Sequence, residues 1–514
     1  MQAKYRNGLR AAVLIAAAAW IAKPYLSDGG TDAGAPKPKA AVAAVDLGRT
    51  LGGIRFQPCT LARGTDALMA FCGELQVPED HSKPDGRKLK LAIAWLPATR
   101  DAEDDPIFML AGGPGQGARE SFPSVAGAFA EARKSRHIIL LDQRGTGDSH
   151  PLKCVDADGR SAVVEDEDYS AASATAFAER CAAQYAGKVD VRQFSSSDAI
   201  QDLELARKAI GAPQINLIGI SYGTRMAQLY AKRYPASTRT VVLDGVAPLE
   251  TVLGQDHAKN LEASLDLQFT RCSADVACRA KMGDPRAQLD KLMATLAKGP
   301  VPVRYRDALT GEWRDGQFSA GHVAMLTRML AYAPQAAGVL PLLFSEGNQG
   351  HVDALMGLSE MLTRDISDQI MHGMQLSVMC SEDAPDLKVD PEDRTRLLGT
   401  GLVELMQAQC AVWPHKPRPA DFRAPLTGKL PVLVLSGEFD PVTPPRYGDL
   451  VMKHLGNARH IVAKGTGHNV LPVGCMPKLY ARFLESADPK ALDTACMDRL
   501  TYASPFTGYY GWEP

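Results

Sequence analysis

Ser221 stands in Gly219-Ile220-Ser221-Tyr222-Gly223, directly after the apolar run Ile215 to Leu217 and ahead of a segment with helical spacing. Small residues on both sides of a serine let a strand turn sharply into a helix, so that the hydroxyl points out above the sheet. In a chain with 45 glycines the five-residue pattern alone is weak, and the strand and helix flanks give it its weight. A serine hydroxyl at its ordinary pKa is a poor nucleophile. The chemistry therefore needs a histidine base and an acid that orients it, in the chain order serine, acid, histidine. Asp440 lies just beyond the apolar run Val432 to Leu435, and His468 closes Gly465-Thr466-Gly467-His468 after the run His460 to Val462. Of eleven histidines, His468 alone occupies a glycine-flanked loop after the last strand-like run. Glu438 is the second candidate for the acid, closer to the strand and so more constrained in direction. Acyl transfer also requires fixed N–H groups aimed at a developing oxyanion. Tyr222, the residue after the serine, supplies one; Ala111-Gly112-Gly113-Pro114-Gly115 holds the other, with Gly113 the first choice and Gly112 the second.

Eight strand-like runs are available to carry these residues: Phe71 to Val77, Leu89 to Leu96, Ile107 to Leu110, His137 to Leu141, Ile215 to Ile220, Thr240 to Leu243, Val432 to Leu435 and His460 to Val462. The first two form an antiparallel hairpin, and helix-like segments alternate with the rest. One of these, Asp198 to Ile210, takes Asp198 as its N-cap, and another, Thr224 to Tyr234, starts directly after a strand. The pattern predicts an α/β chain of the α/β-hydrolase kind, a mostly parallel eight-stranded sheet with a large, mainly helical cap inserted after the sixth strand. A gap that long cannot be a loop. Helical spacing over Gln288 to Ala297, Val323 to Tyr332, Leu355 to Thr363 and Arg394 to Cys410 marks 248–425 as the cap, leaving 45–247 and 426–514 as the core.

Hydrophobic content of 45% and charged content of 23% are those of an ordinary folded protein, and 514 residues suffice for one core with a sizeable insertion. A formal net charge of -2, with no basic stripe interleaved with aromatics, argues against nucleic-acid partners. Lys4, Arg6 and Arg10 precede the apolar run Ala11 to Ala22, the layout of a bacterial export signal or retained anchor, and a Gly, Ala, Pro and Lys-rich tether follows to about Ala44. The expected location is periplasmic or secreted, with membrane anchoring through 1–44 if that segment is kept. Ten cysteines make an even set without C-x-x-C spacing, and neighbours in sequence fall into five short-range couples, such as Cys272 with Cys278 and Cys475 with Cys496. No H-E-x-x-H, zinc-type Cys/His spacing or Walker loop is present, and Pro114 interrupts any dinucleotide fingerprint, so neither metal nor organic cofactor is expected.

Gly112-Gly113-Pro114-Gly115, then Asp142-Gln143-Arg144-Gly145-Thr146-Gly147, then Gly219-x-Ser221-Tyr222-Gly223 resembles, in this order, the prolyl aminopeptidase family and its exported tripeptidyl aminopeptidase-like relatives. The likeness runs from about Cys72 to His468 and includes Val77-Pro78-Glu79-Asp80 and Asp440-Pro441-Val442-Thr443-Pro444. It implies a serine peptidase acting near the N-terminus of short peptides, with Asp142 and Arg144 tying loops together. Prolyl aminopeptidases carry a histidine before Gly-Gly-Pro-Gly where this chain has Ala111, a departure that favours the tripeptidyl branch.

Such an enzyme must bind a free α-ammonium, and a carboxylate in a partly dry site does so strongly. Cys380-Ser381-Glu382-Asp383 resembles a cysteine-plus-acid segment of the exported relatives, which makes Glu382, and second Asp383, the expected ammonium anchors; a solvated acidic turn is the plainer alternative. The stretch Met371 to Met379 either lines an apolar pocket or belongs to the core. An esterase or lipase on the same scaffold, and a binding protein that retains the fold without catalysis, are the other readings. The length of peptide released and the oligomeric state leave no mark in the sequence.

Overall fold

A computed structural model describes residues 47–156, 159, 161, 170–307, 310–508 and 511. Twelve strands are present among the described residues: β1 Arg49–Leu51, β2 Ile54–Arg63, β3 Asp66–Pro78, β4 Lys88–Leu96, β5 Ile107–Leu110, β6 Ile138–Leu141, β7 Ile215–Ile220, β8 Thr238–Asp244, β9 Val301–Arg306, β10 Trp313–Phe318, β11 Val432–Gly437 and β12 Ala458–Ala463. Ten of them form one sheet in the order β1-β2-β3-β4-β6-β5-β7-β8-β11-β12. The first four run antiparallel, and β6, β5, β7, β8, β11 and β12 run parallel.

The parallel strands read as unbroken apolar runs, Ile-Phe-Met-Leu in β5 and Ile-Ile-Leu-Leu in β6, because helices cover both of their faces. Successive residues feed two separate cores. Phe108, Ile139, Leu217, Val241 and Val434 pack on one side of the sheet. Met109, Leu140, Ile218, Val242 and Leu433 pack on the other. The eight expected strands are all in place; the sheet exceeds the expected count through β1 and β2. Strand β2 escaped notice because Pro58 and Cys59 interrupt an alternation that pairs with β3 only through the hairpin.

Helix α1, Ser196–Ala209, is capped by Ser195, whose hydroxyl accepts from the Asp198 N–H while Asp198 answers at the Ser195 N–H. Asp198 is thus the third helical residue and not the N-cap expected of it. Helix α2, Tyr222–Arg233, starts directly after β7 with Ser221 as its N-cap.

Between β8 and β11 lies a helical insert with its own core, built from Leu261, Leu265, Leu292, Leu326, Leu330 and Phe344 among others. Its members include α3 His257–Ala274, α4 Ala320–Ala331, α5 Val352–Gln369, α6 His372–Glu382 and α7 Gly401–Val412. The antiparallel hairpin β9–β10 was not anticipated. No helix among the described residues is long and apolar enough to cross a membrane, and the run Ala11 to Ala22 with its tether lies outside them.

Five disulfides join sequence neighbours: Cys59–Cys72, Cys154–Cys181, Cys272–Cys278, Cys380–Cys410 and Cys475–Cys496. Cys380–Cys410 ties the end of α6 to α7 across 30 residues. Replacing both with serine should lower unfolding stability by about 3 kcal/mol, read as a reduced urea midpoint. An unchanged midpoint would show that packing alone holds the two helices together.

Candidate active site

Ser221 has φ 56° and ψ -123°, a left-handed conformation that a residue with a side chain adopts only under constraint. The constraint comes from the crossing of β7 and α2. A Cβ at Gly219 would collide with the Gly223 carbonyl, and one at Gly223 would collide with the Leu110 carbonyl, so neither position tolerates a larger residue. The Ser221 N–H donates to the Asp244 carbonyl at 2.9 Å, which anchors the turn to the end of β8.

Asp440 follows β11 and is 2% exposed. Its Oδ1 accepts from the N–H groups of Val442 at 2.9 Å and Thr443 at 2.8 Å; its Oδ2 accepts from the Thr443 hydroxyl and from His468 Nδ1, each at 2.8 Å. Burial alone would raise its pKa, but the charge and hydrogen bond of His468 and the two backbone donors outweigh it and hold the carboxyl below its ordinary value. His468 is the mirror case. Burial would lower its pKa, and Asp440 first and Asp244 after it keep the imidazole above its ordinary value.

Four groups fix that imidazole. Its backbone N–H donates to the Tyr332 carbonyl at 2.8 Å, and the Tyr332 ring meets it edge-on with centroids 5.3 Å apart. The Thr443 hydroxyl oxygen, while donating to Asp440, lies 3.1 Å from Nδ1. A Cβ on Gly245 would come within 2.9 Å of the ring, which therefore lies against the residue that follows Asp244. The Asp244 carboxylate accepts from Val470 N–H at 2.8 Å and Leu471 N–H at 2.8 Å. Burial pushes that carboxyl up to about 6 despite the two backbone donors. One residue thus grips the serine turn through its carbonyl and the histidine loop through its side chain.

The glycine loop passes directly beside the serine, since a Cβ on Gly112 would stand 3.2 Å from Ser221 Cβ. Gly113 has φ 108° and is followed by a cis peptide to Pro114. The insert holds this loop too: Met371 N–H donates to the Gly115 carbonyl at 3.0 Å. The Tyr222 backbone opens α2 beside Ser221, where helix N–H groups are unpaired and favour negative charge. Its hydroxyl lies 2.6 Å from Ser196 Oγ and accepts from Gln143 Nε2 at 3.2 Å. Arg144 is fully buried and donates to Asp202 at 2.6 and 2.7 Å and to the carbonyls of Pro78, Glu79 and Gln193, while Asp142 accepts from the N–H groups of Arg119 and Asp148. Glu438 turns away from His468 and accepts from Gly465 N–H and the Tyr502 hydroxyl.

The two acids expected to face an ammonium have separate surroundings. Asp383, fully buried, accepts from both Arg225 Nη atoms at 2.7 and 3.2 Å, from Arg423 at 3.0 Å and from Leu253 N–H at 2.9 Å. Its accepting positions are filled, and it fastens the insert to α2. Glu382, 1% exposed, accepts among the described residues only from Ser196 N–H at 2.6 Å and Ser196 Oγ at 2.8 Å, with Arg225 3.7 Å away. Burial raises its carboxyl to about 7 in spite of Arg225. The methionines Met371, Met374 and Met379 are buried in the core side of α6.

Thr443, Asp244, Tyr332 and Met371 all position the site, and sequence reasoning assigns none of them this role. Thr443 had a local signal, a hydroxyl three residues after the acid, as in turns where an aspartate binds its own downstream backbone. The other three act across long separations. Among the described residues no group of three or more His, Cys, Asp or Glu could hold a metal ion.

Asp383→Asn leaves the buried Arg225 guanidinium short of its counter-charge and should cost about 3 kcal/mol of unfolding stability. Arg423→Ala, removing a partner near the surface, should cost clearly less. Equal losses in urea denaturation would show that Asp383 is not the keystone of this ion cluster.

Residues 105–277 match the family model described as "alpha/beta hydrolase fold", and residues 396–496 match the one described as "TAP-like protein". Serine protease Hip1 of Mycobacterium tuberculosis is 28% identical, over 87% of this chain and 94% of that one. Tripeptidyl aminopeptidase of Streptomyces coelicolor is 25% identical over 90% of this chain and 89% of that one. A Mycobacterium tuberculosis protein named Carboxylesterase B is 28% identical over 80% and 83%. A strained serine turn after a central strand, an acid–imidazole pair beside it and these matches at both ends of the core lead to one conclusion: the chain is a hydrolase of the α/β-hydrolase fold, with a C-terminal part similar to TAP-like proteins.

Proposed function

We propose that the chain is an exported serine peptidase that releases residues or short peptides from peptide N-termini through an acyl-enzyme. The observation that carries this is the buried Asp440–His468 pair set against Gly245, next to the turn that presents Ser221. Ser221 Oγ attacks the scissile carbonyl while His468 Nε2 takes its proton, and the same imidazolium then protonates the departing amine. Asp440 holds the tautomer with its proton on Nδ1 and stabilises the imidazolium. The N–H groups of Tyr222 and Gly113, with Gly112 as the second choice for the latter, receive the oxyanion. Water then completes the cycle by attacking the ester carbon.

Peptides are favoured over esters as substrates by the full-length likeness to a serine protease and a tripeptidyl aminopeptidase. The carboxylesterase-named relative keeps an esterase as the second reading. Glu382 is the proposed ammonium anchor. Its carboxylate is buried with less positive charge around it than it needs, so an arriving ammonium is stabilised there, whereas Asp383 has no accepting position left. The helical insert, 248–425, acts as the cap that shapes the substrate site. Five disulfides fit an oxidising compartment outside the cytoplasm.

Fluorophosphonate labelling and peptide-amide cleavage should both vanish in Ser221→Ala. Peptides with free N-termini should be cleaved faster than blocked ones by the wild type, and Glu382→Ala should erase the difference. Equal rates on both in the wild type would remove the aminopeptidase assignment, and fast ester cleavage without amide cleavage would favour the esterase.

Asp440→Asn should lower kcat by a factor on the order of 10⁴. The pH profile has a definite sign. Catalysis needs neutral His468, and Asp440 raises its pKa, so wild-type activity climbs as pH rises through that raised value. In Asp440→Asn the climb should move to lower pH. A limb that stays in place would mean that His468 is not the titrating base.

A further inference from the structure

Arg328 lies on α4 and is half-buried, yet among the described residues its guanidinium has no hydrogen-bond or ion-pair partner. Three other partly buried arginines of the insert are satisfied: Arg286 by Glu262 and Asp266, Arg364 by Asp307, Arg396 by Asp393. Arg328 stands four residues before Tyr332, one helical turn away on the same face, and Tyr332 is the residue whose ring and carbonyl hold His468. No acid occurs anywhere in α4 to pair with it.

A second insert group shares this locality. His257 opens α3, which packs on α4 through Leu261 and Leu265 against Leu326 and Leu330. Three residues further along, Asn260 donates to the Val442 carbonyl at 2.7 Å, in the loop that carries Asp440. The His257 imidazole is pushed down to about 3, by burial first and then by the positive charges of Arg328 and His468. It is therefore neutral under working conditions, and the net charge of the group belongs to Arg328.

The chemistry of the reaction says which part of the substrate meets this face. His468 must deliver its proton to the departing nitrogen, so the leaving fragment lies along the imidazole, on the side that Tyr332 borders, with Arg328 one helical turn back from Tyr332. We propose that Arg328, on the face of α4 that also presents Tyr332 to His468, forms a carboxylate-binding subsite for the leaving fragment, so that the enzyme prefers substrates whose leaving part carries a negative charge. The carboxylate has two sources, the C-terminal α-carboxylate of a short peptide or an acidic side chain on its first leaving residue. A guanidinium fits either, because its planar fork accepts a carboxylate bidentately.

The proposal rests on the peptidase function given above, and one substrate set separates the two. Three peptides share the same free-amine acyl part: one leaves as a residue with a free α-carboxylate, one as its primary amide, one as a glutamate with an amidated C-terminus. Cleavage of the neutral amide establishes the peptidase whatever its preference. One of the two charged peptides should exceed the neutral amide in kcat/KM by roughly ten- to a hundredfold, mostly through KM. That charged peptide identifies the source. In Arg328→Ala the ratio should fall to about one, and Arg328→Lys should keep part of it. Because the ratio is taken within each enzyme, with active sites counted by fluorophosphonate, partial misfolding does not mimic the effect. A wild type indifferent to leaving-group charge, or a preference that survives in Arg328→Ala, overturns the subsite.

Discussion

The strained turn at Ser221 is the constraint from which the rest of the site follows. A left-handed serine costs on the order of 1–3 kcal/mol and persists only where its surroundings leave no alternative. Gly219 and Gly223 remove the alternatives from below by bringing α2 against β7 and the Leu110 carbonyl. Asp244 removes them from the side, its carbonyl taken by the Ser221 N–H and its carboxylate by the loop after His468. The same buried residue therefore holds the Ser221 turn and the His468 loop together, although it is distant from His468 along the chain.

The insert completes the arrangement. Two of its backbone groups reach into the core's loops, the Tyr332 carbonyl to the His468 N–H and the Met371 N–H to the Gly115 carbonyl. Both loops are glycine-rich and would otherwise have several conformations open to them. Buried ion pairs of Asp383 with Arg225 and Arg423 fasten the end of α6 to the helix that begins at the nucleophile. Their net stabilisation is modest, because desolvation offsets much of the attraction, but an unpaired partner would be costly, which makes the docking position specific.

Much of this was legible in the sequence, because parallel strands buried on both faces are written as unbroken apolar runs and the chemistry hangs from their ends. Ser221, Asp440 and His468 could be placed in order from runs and glycines alone, and the structure brings the last two into hydrogen-bond contact. The cysteine couples were readable because each closes a short loop. What could not be read is what depends on contacts between distant segments. Strand β2 hides behind Pro58, and the hairpin β9–β10 is short, with β9 alternating only over Val301, Val303 and Tyr305 and β10 mostly exposed and polar. Asp383 stood second to its neighbour Glu382 as an ammonium anchor, and only Arg225 and Arg423, far away in sequence, give it a separate fate. Met371 acts through its backbone N–H and Tyr332 in part through its carbonyl, backbone groups that no side-chain pattern announces.

The grip of Tyr332 and Met371 on the two loops also bears on how such enzymes diversify. A lid that merely covers a pocket is interchangeable, and exchanging it alters selectivity while leaving turnover intact. Here the insert is joined to the core's loops through Tyr332 and Met371, so an insert transplanted from another hydrolase would have to rebuild both contacts. Substitution one residue at a time, at positions away from those contacts, is the evolutionary route that the architecture leaves open.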